Sequence, residues 1–161
     1  MANFKSLIKD TAIYGLSSIV GRFLNYLLVP LYTHKLAAAS GGYGTITNIY
    51  AYVAVVLVLL IFGMETTFFR FANKEGHDSR QVFGTSLAFV SIVSALFLAV
   101  VLGALTPISQ ALGYADHPEF IAFMAITVAL DAFQAVPFSY LRFQRRAIKF
   151  AALKLAFIAL N

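Results

Sequence analysis

YGTITNIYAYVAVVLVLLIFGM, residues 43 to 64, is the stretch that decides the fold. It lies in an uncharged run that extends from Leu36 through Met64. Its β-branched run from Val53 to Val58 would favour a strand in water. A lone strand in lipid leaves its backbone groups unpaired, whereas a helix pairs them within itself. About 20 apolar residues match a hydrocarbon core of about 30 Å, so the stretch reads as a membrane-crossing helix.

The rest of the chain agrees. Of 161 residues, 60% are hydrophobic and only 12% charged, and the mean hydropathy is +0.81. That apolar share exceeds what a water-soluble core can hide. The net charge of +5 raises the question of nucleic acid. The basic residues, however, cluster between apolar segments, which is a topology signal, and no nucleic-acid partner is expected. The chain has no cysteine, which excludes disulfides and thiolate metal sites.

Working outward, TAIYGLSSIVGRFLNYLLVPLYT, residues 11 to 33, forms the first expected span. It is too long for the apolar part of a signal peptide and carries Arg22 at its centre, so a retained helix is expected. Residues 43 to 64 form the second span. Residues 65 to 81 hold six of the nineteen charged residues and read as a polar loop, with an interfacial start at Phe68, Phe69 and Phe71. A third span is expected from residue 82 to about 105, ended by Thr106-Pro107, and a fourth from 119 to 141. A fifth begins near residue 150 and is too short to cross before Asn161. The fold class is thus an all-α membrane protein, a single transmembrane bundle over residues 1 to 161 with four full helices and the start of a fifth. Lys and Arg number nine in the N-terminal tail and the loops at 65–81 and 142–149, against Lys35 alone on the opposite side. This places the N-terminus in the cytoplasm.

Polar residues within the spans are the candidate site. Gly15, Ser18, Arg22 and Asn25 share one face of the first span. A charge at the bilayer centre costs at least about 2.5–3.5 kcal/mol unless it meets protein or water. Arg22 therefore either lines a hydrated cavity or pairs with another helix. Thr127, Asp131 and Gln134 repeat the pattern in the fourth span, and Asp131 is the natural counter-charge to Arg22. Thr45, Asn48 and Tyr52 form a weaker set, because amides and hydroxyls commonly bond only to neighbouring helices. Glu65, at the inner end of the second span, is a candidate gate. Gly84, Ala88, Ser91, Ala95 and Ala99 form a small-residue side of the third span, expected to pack closely against another helix. His34, His77 and His117 are scattered over loops, so neither a metal site nor an enzyme is expected, and no cofactor.

With the segments placed, GRFLNYLLVPLYTHKL, GGYGTITNIYAYVAVVLVLL and GMETTFFRF resemble the polysaccharide biosynthesis transporters. These are oligosaccharide flippases of the multidrug/oligosaccharidyl-lipid/polysaccharide (MOP) exporter superfamily. The likeness covers residues 5 to 105, and the remainder by hydropathy alone. It implies a two-lobed transporter of about 12 to 14 helices, of which this chain would hold part of the first lobe. It also implies a bacterial inner-membrane location and a role in surface polysaccharide or lipopolysaccharide synthesis. The cargo would be an oligosaccharide on polyprenyl diphosphate, flipped by alternating access, with H⁺ or Na⁺ as candidate coupling ions and membrane lipids as partners. In that setting Arg22 would meet the diphosphate. Ser18, Asn25, Asn48, Asp131 and Gln134 would complete the cavity. A drug or organic-cation antiporter of the same superfamily, with Asp131 exchanging the ion, is the alternative. A non-transporting membrane assembly subunit is a third.

Overall fold

Long apolar runs give long helices, and every regular element among the described residues of the computed structural model is helical. The structure describes residues 8, 9, 11–16, 19, 20, 23, 30 and 42–160. The helices are α1 (Gly42–Ile61), α2 (Met64–Ala72), α3 (Ser79–Gly103), α4 (Leu105–Ala111), α5 (Pro118–Phe143) and α6 (Ala147–Leu160). Three stretches, Gly44–Ala72, Ser79–Gly103 and Pro118–Phe143, are long and apolar enough to cross a membrane. They match the second, third and fourth expected spans. Of the first span, residues 11–16, 19, 20, 23 and 30 are helical, and the rest lies outside the described residues. The chain divides into two compact units, one formed by Thr45–Ser139 and the other holding Tyr140 onward with the described N-terminal residues.

In the Thr45–Ser139 unit the spans run up, down and up. At one end Ile49 and Tyr52 of α1 pack with Val101 of α3 and with Ile121 and Met124 of α5. Nearer the other end Leu60 of α1, Val90 of α3 and Val128, Ala132 and Val136 of α5 form a second apolar cluster. The outward faces are as apolar as the core. Val55, Val58 and Leu59 of α1, Ile92 and Leu96 of α3, and Phe123 and Leu130 of α5 are all exposed. In water so large an apolar surface would be an aggregation liability, whereas a helix apolar all round suits lipid.

Four expectations are corrected. Residues 65 to 81 are not one polar loop, because Met64–Ala72 is helical and only residues 73–78 turn the chain. Met64, Phe68 and Ala72 recur every four residues on one face, and Phe68 and Ala72 are buried, with the Phe68 and Phe83 rings edge to face at 6.5 Å. Arg70 sits on the exposed side of this helix, while Glu65 is half-buried at the edge of the packed face. Between α1 and α2 the helix breaks at Phe62 (φ 49) and Gly63 (φ 68). This is a left-handed pair in which glycine carries no penalty and phenylalanine does.

The second correction concerns Thr106-Pro107, which does not end the third span. That helix stops at Gly103, and Pro107 stands in the first turn of α4, where a missing N–H costs no helical bond. Third, α3 starts at Ser79 rather than residue 82, because the Asp78 side chain accepts a hydrogen bond from the Arg80 amide at 2.9 Å and caps it. The remaining bounds shift by three residues or fewer. Fourth, the small-residue side of α3 is not its packed side in this structure. Gly84, Ala88, Ala95 and Ala99 are exposed. Ser86, Val90, Ser94 and Val101 face inward instead, and Ser91 donates to its own helix at the Leu87 carbonyl, 2.7 Å away.

Candidate functional site

Asp131 and Gln134 are three residues apart in α5, on adjacent turns of one face. The Gln134 amide nitrogen donates to the Asp131 carboxylate at 2.5 Å. Both side chains are half-buried, on the border between the packed face of Val128, Ala132 and Ala135 and the exposed stripe of Leu130 and Phe133. The bond occupies one donor of Gln134 and leaves its amide oxygen, Oε1, buried with no hydrogen-bond partner. A buried unsatisfied carbonyl costs about 1–3 kcal/mol. Asp131 is also the one charged residue in the interior of α1, α3 and α5, since α1 has no charge and the other charges of α3 and α5 sit in their terminal turns. A carboxylate and an amide acceptor in the middle of an apolar helix can hold a cation, a proton or a sugar hydroxyl.

The other candidates lie apart from this pair. Asn48, in the second turn of α1, donates to the Tyr114 hydroxyl at 3.1 Å. Tyr114 is set in place by Gly113 (φ 81), whose left-handed turn closes α4 and brings the Tyr114 amide onto the Ser109 carbonyl at 2.7 Å. Asn48 thus ties a helix start to a loop. Glu65 sits at the opposite end of the bundle, half-buried in the first turn of α2 and just past the Phe62–Gly63 break. A carboxylate there complements the partial positive charge of a helix start. Ser18, Arg22 and Asn25 lie outside the described residues, and with them the expected contact of Arg22 with Asp131.

At the loop after α4, His117 Nδ1 is 2.9 Å from the Glu119 carboxylate and the imidazole stacks on Phe120 at 4.9 Å. The ion pair is exposed helix-start structure. Among the described residues no three His, Asp or Glu side chains group to hold a metal ion.

No family model, curated protein or solved structure matches the chain. The site therefore stands on its own geometry. The order of residues along the chain puts Asp131 and Gln134 on one face, because spacing within a helix is local, but points to Arg22 rather than Gln134 as the partner of Asp131. It misses Tyr114, 66 positions from Asn48, for which a lone tyrosine after a glycine is no signal.

Proposed function

We propose that the chain is part of a membrane transporter that flips polyprenyl-diphosphate-linked oligosaccharide across the bacterial inner membrane by alternating access. The observation that carries the reading is the Asp131–Gln134 pair, with a buried amide oxygen awaiting a donor in the interior of an apolar span. A polar face at mid-membrane depth has little use in a purely structural helix and is what a hydrated transport path needs. Sugars bring hydroxyl donors that suit that oxygen and the carboxylate. The anionic headgroup is assigned to Arg22, through the resemblance of its segment to the flippases. The N-terminus is placed in the cytoplasm, by the distribution of Lys and Arg.

A second reading is favoured by one specific feature, the interior carboxylate of Asp131 itself. In an organic-cation antiporter it would exchange a proton or Na⁺ for the cargo. The two are separated in proteoliposomes of the complete transporter. For a flippase, Asp131→Asn and Arg22→Ala insert normally but lower flipping of a fluorescent polyprenyl-diphosphate oligosaccharide at least tenfold. Proton-driven efflux of a fluorescent organic cation, abolished by Asp131→Asn and indifferent to Arg22→Ala, would replace the flippase by the antiporter. Wild-type flipping in Arg22→Ala combined with Asp131→Ala would leave the two residues a packing pair.

A further inference from the structure

Away from the three spans, four cations converge on one cleft. Lys9 and Ile13 of the N-terminal segment meet Arg145, Arg146, Ile148 and Lys149 around a cleft of about 400 Å³. None of its described lining residues is acidic. The corner between α5 and α6 builds one wall. There Arg145 takes a left-handed turn (φ 55), and the Arg146 amide reaches back to the Leu141 carbonyl at 3.0 Å, closing α5. Phe150 clips the other wall to it. Its ring is buried, with Tyr14 edge-on at 5.0 Å and the Arg142 guanidinium 5.3 Å from its centroid.

Four like charges held around so small a volume repel, and an anion between them removes that cost. The amides of the first turn of α6 add their partial positive charge at the same place. Arginine forks and lysine point charges together are the chemistry that recognises a phosphoryl group. The two isoleucines refine the choice. Ile148 is 72% exposed beside the cations, which does nothing for a free inorganic ion and suits the glycerol or first methylenes of a lipid. Each wall also stands where sequence turns from polar to apolar, before the runs that begin at Thr11 and at Phe150. That is the level of the headgroups.

We propose that this cleft binds the phosphoryl headgroup of a membrane-resident lipid. Lys9, Arg145, Arg146 and Lys149 hold the phosphoryl oxygens, and Ile13 and Ile148 contact the lipid below them. The inference needs only the membrane setting and goes beyond the flippase reading, so it survives if flipping is disproved.

The test uses the full-length protein in nanodiscs of phosphatidylcholine. It is titrated separately with phosphatidylglycerol, farnesyl diphosphate and inorganic phosphate, with bound lipid counted by native mass spectrometry. Arg145→Gln, Arg146→Gln and Lys149→Gln together should weaken lipid binding roughly a hundredfold, at about fivefold per cation. The control pair Arg70→Gln and Lys74→Gln should leave it unchanged. Should the triple variant not fold, Lys149→Gln alone, at an exposed position, should show the fivefold loss. Selective loss of phosphatidylglycerol names a phospholipid as the ligand, and selective loss of farnesyl diphosphate names an isoprenoid carrier. Inorganic phosphate binding as tightly as either lipid would overturn the proposal. So would an equal loss in the control pair, which means diffuse surface charge, or no loss in the cleft variants.

Discussion

α1 and α5 belong to the same bundle and differ in what surrounds them. The most apolar window of the span from Gly44 to Ala72 has a hydropathy of 2.3 and is 6% buried, whereas that of α5 has a hydropathy of 1.7 and is 44% buried. In a water-soluble protein the order would be reversed, with the most apolar helix at the centre. Here the least apolar helix is the most enclosed, and it carries Asp131 and Gln134. Lipid is the better solvent for valine and leucine, and protein is the better solvent for a carboxylate and an amide. The difference teaches that these helices sort by polarity against hydrocarbon, and it can be broken experimentally from either side.

The largest effect is expected at the enclosed face of α5. Val128 is fully buried in the cluster that joins α1, α3 and α5. Val128→Asp places an unpaired charge there and should destabilise the bundle by about 3–5 kcal/mol, the cost of an uncompensated buried charge. Loss of protein from the membrane fraction and protease sensitivity after reconstitution measure it. Val55→Asp, on the exposed face of α1, is the decisive counterpart. Val55 is 64% exposed, and at a water-facing position the change would stay within about 0.5 kcal/mol. Facing lipid, it should cost about 2.5–3.5 kcal/mol of insertion free energy. Normal membrane insertion of Val55→Asp in a glycosylation-mapping assay would defeat the lipid assignment of that face.

A smaller effect tests the joint between α1 and α2. Gly63 has φ 68 with open space around its Cα, so Gly63→Ala meets no clash and pays only the left-handed backbone cost, about 1–2 kcal/mol. Thermal unfolding in detergent should shift accordingly. Hydrogen exchange should rise at Met64–Ala72 before it rises in α3.

The parts legible in the sequence were those set by local physics. The second, third and fourth spans followed from composition and length, and the shared face of Asp131 and Gln134 followed from i, i+3 spacing on a helix, although the bond between them did not. The α2 helix was hidden because Glu65 and Arg70 dominate the charge of a nine-residue window, while its reason to fold is the face of Met64, Phe68 and Ala72 set against α3. The direction of the small-residue side of α3 was hidden too. A row of glycine and alanine permits close approach but does not compel it, and the row of Ser86, Val90, Ser94 and Val101 one step round the helix had an equal claim. The cleft joining Lys9 to Arg145, Arg146 and Lys149 spans more than 130 positions, and nothing local links its two walls.

The smallest expected effect concerns the outermost contact, Asn48 with Tyr114. The side chains are bonded at 3.1 Å but exposed, and polar bonds between elements of membrane proteins average about 0.6 kcal/mol by double-mutant cycles. Asn48→Ala and Tyr114→Phe should each cost about that much. The double variant should cost no more than the larger single one, because either change alone removes the whole bond. Transport separates the two roles of Asn48. If it only fastens α1 to the loop after α4, both variants leave flipping at wild-type rates. If it also meets a sugar, Asn48→Ala lowers flipping while Tyr114→Phe leaves the amide in place and spares it. A cycle that is additive in stability would mean that the bond does not form in the membrane. The amide would then be as free to meet cargo as those of the interior pair, and the contrast between a polar interior in α5 and a merely structural polar contact in α1 would lose its second half.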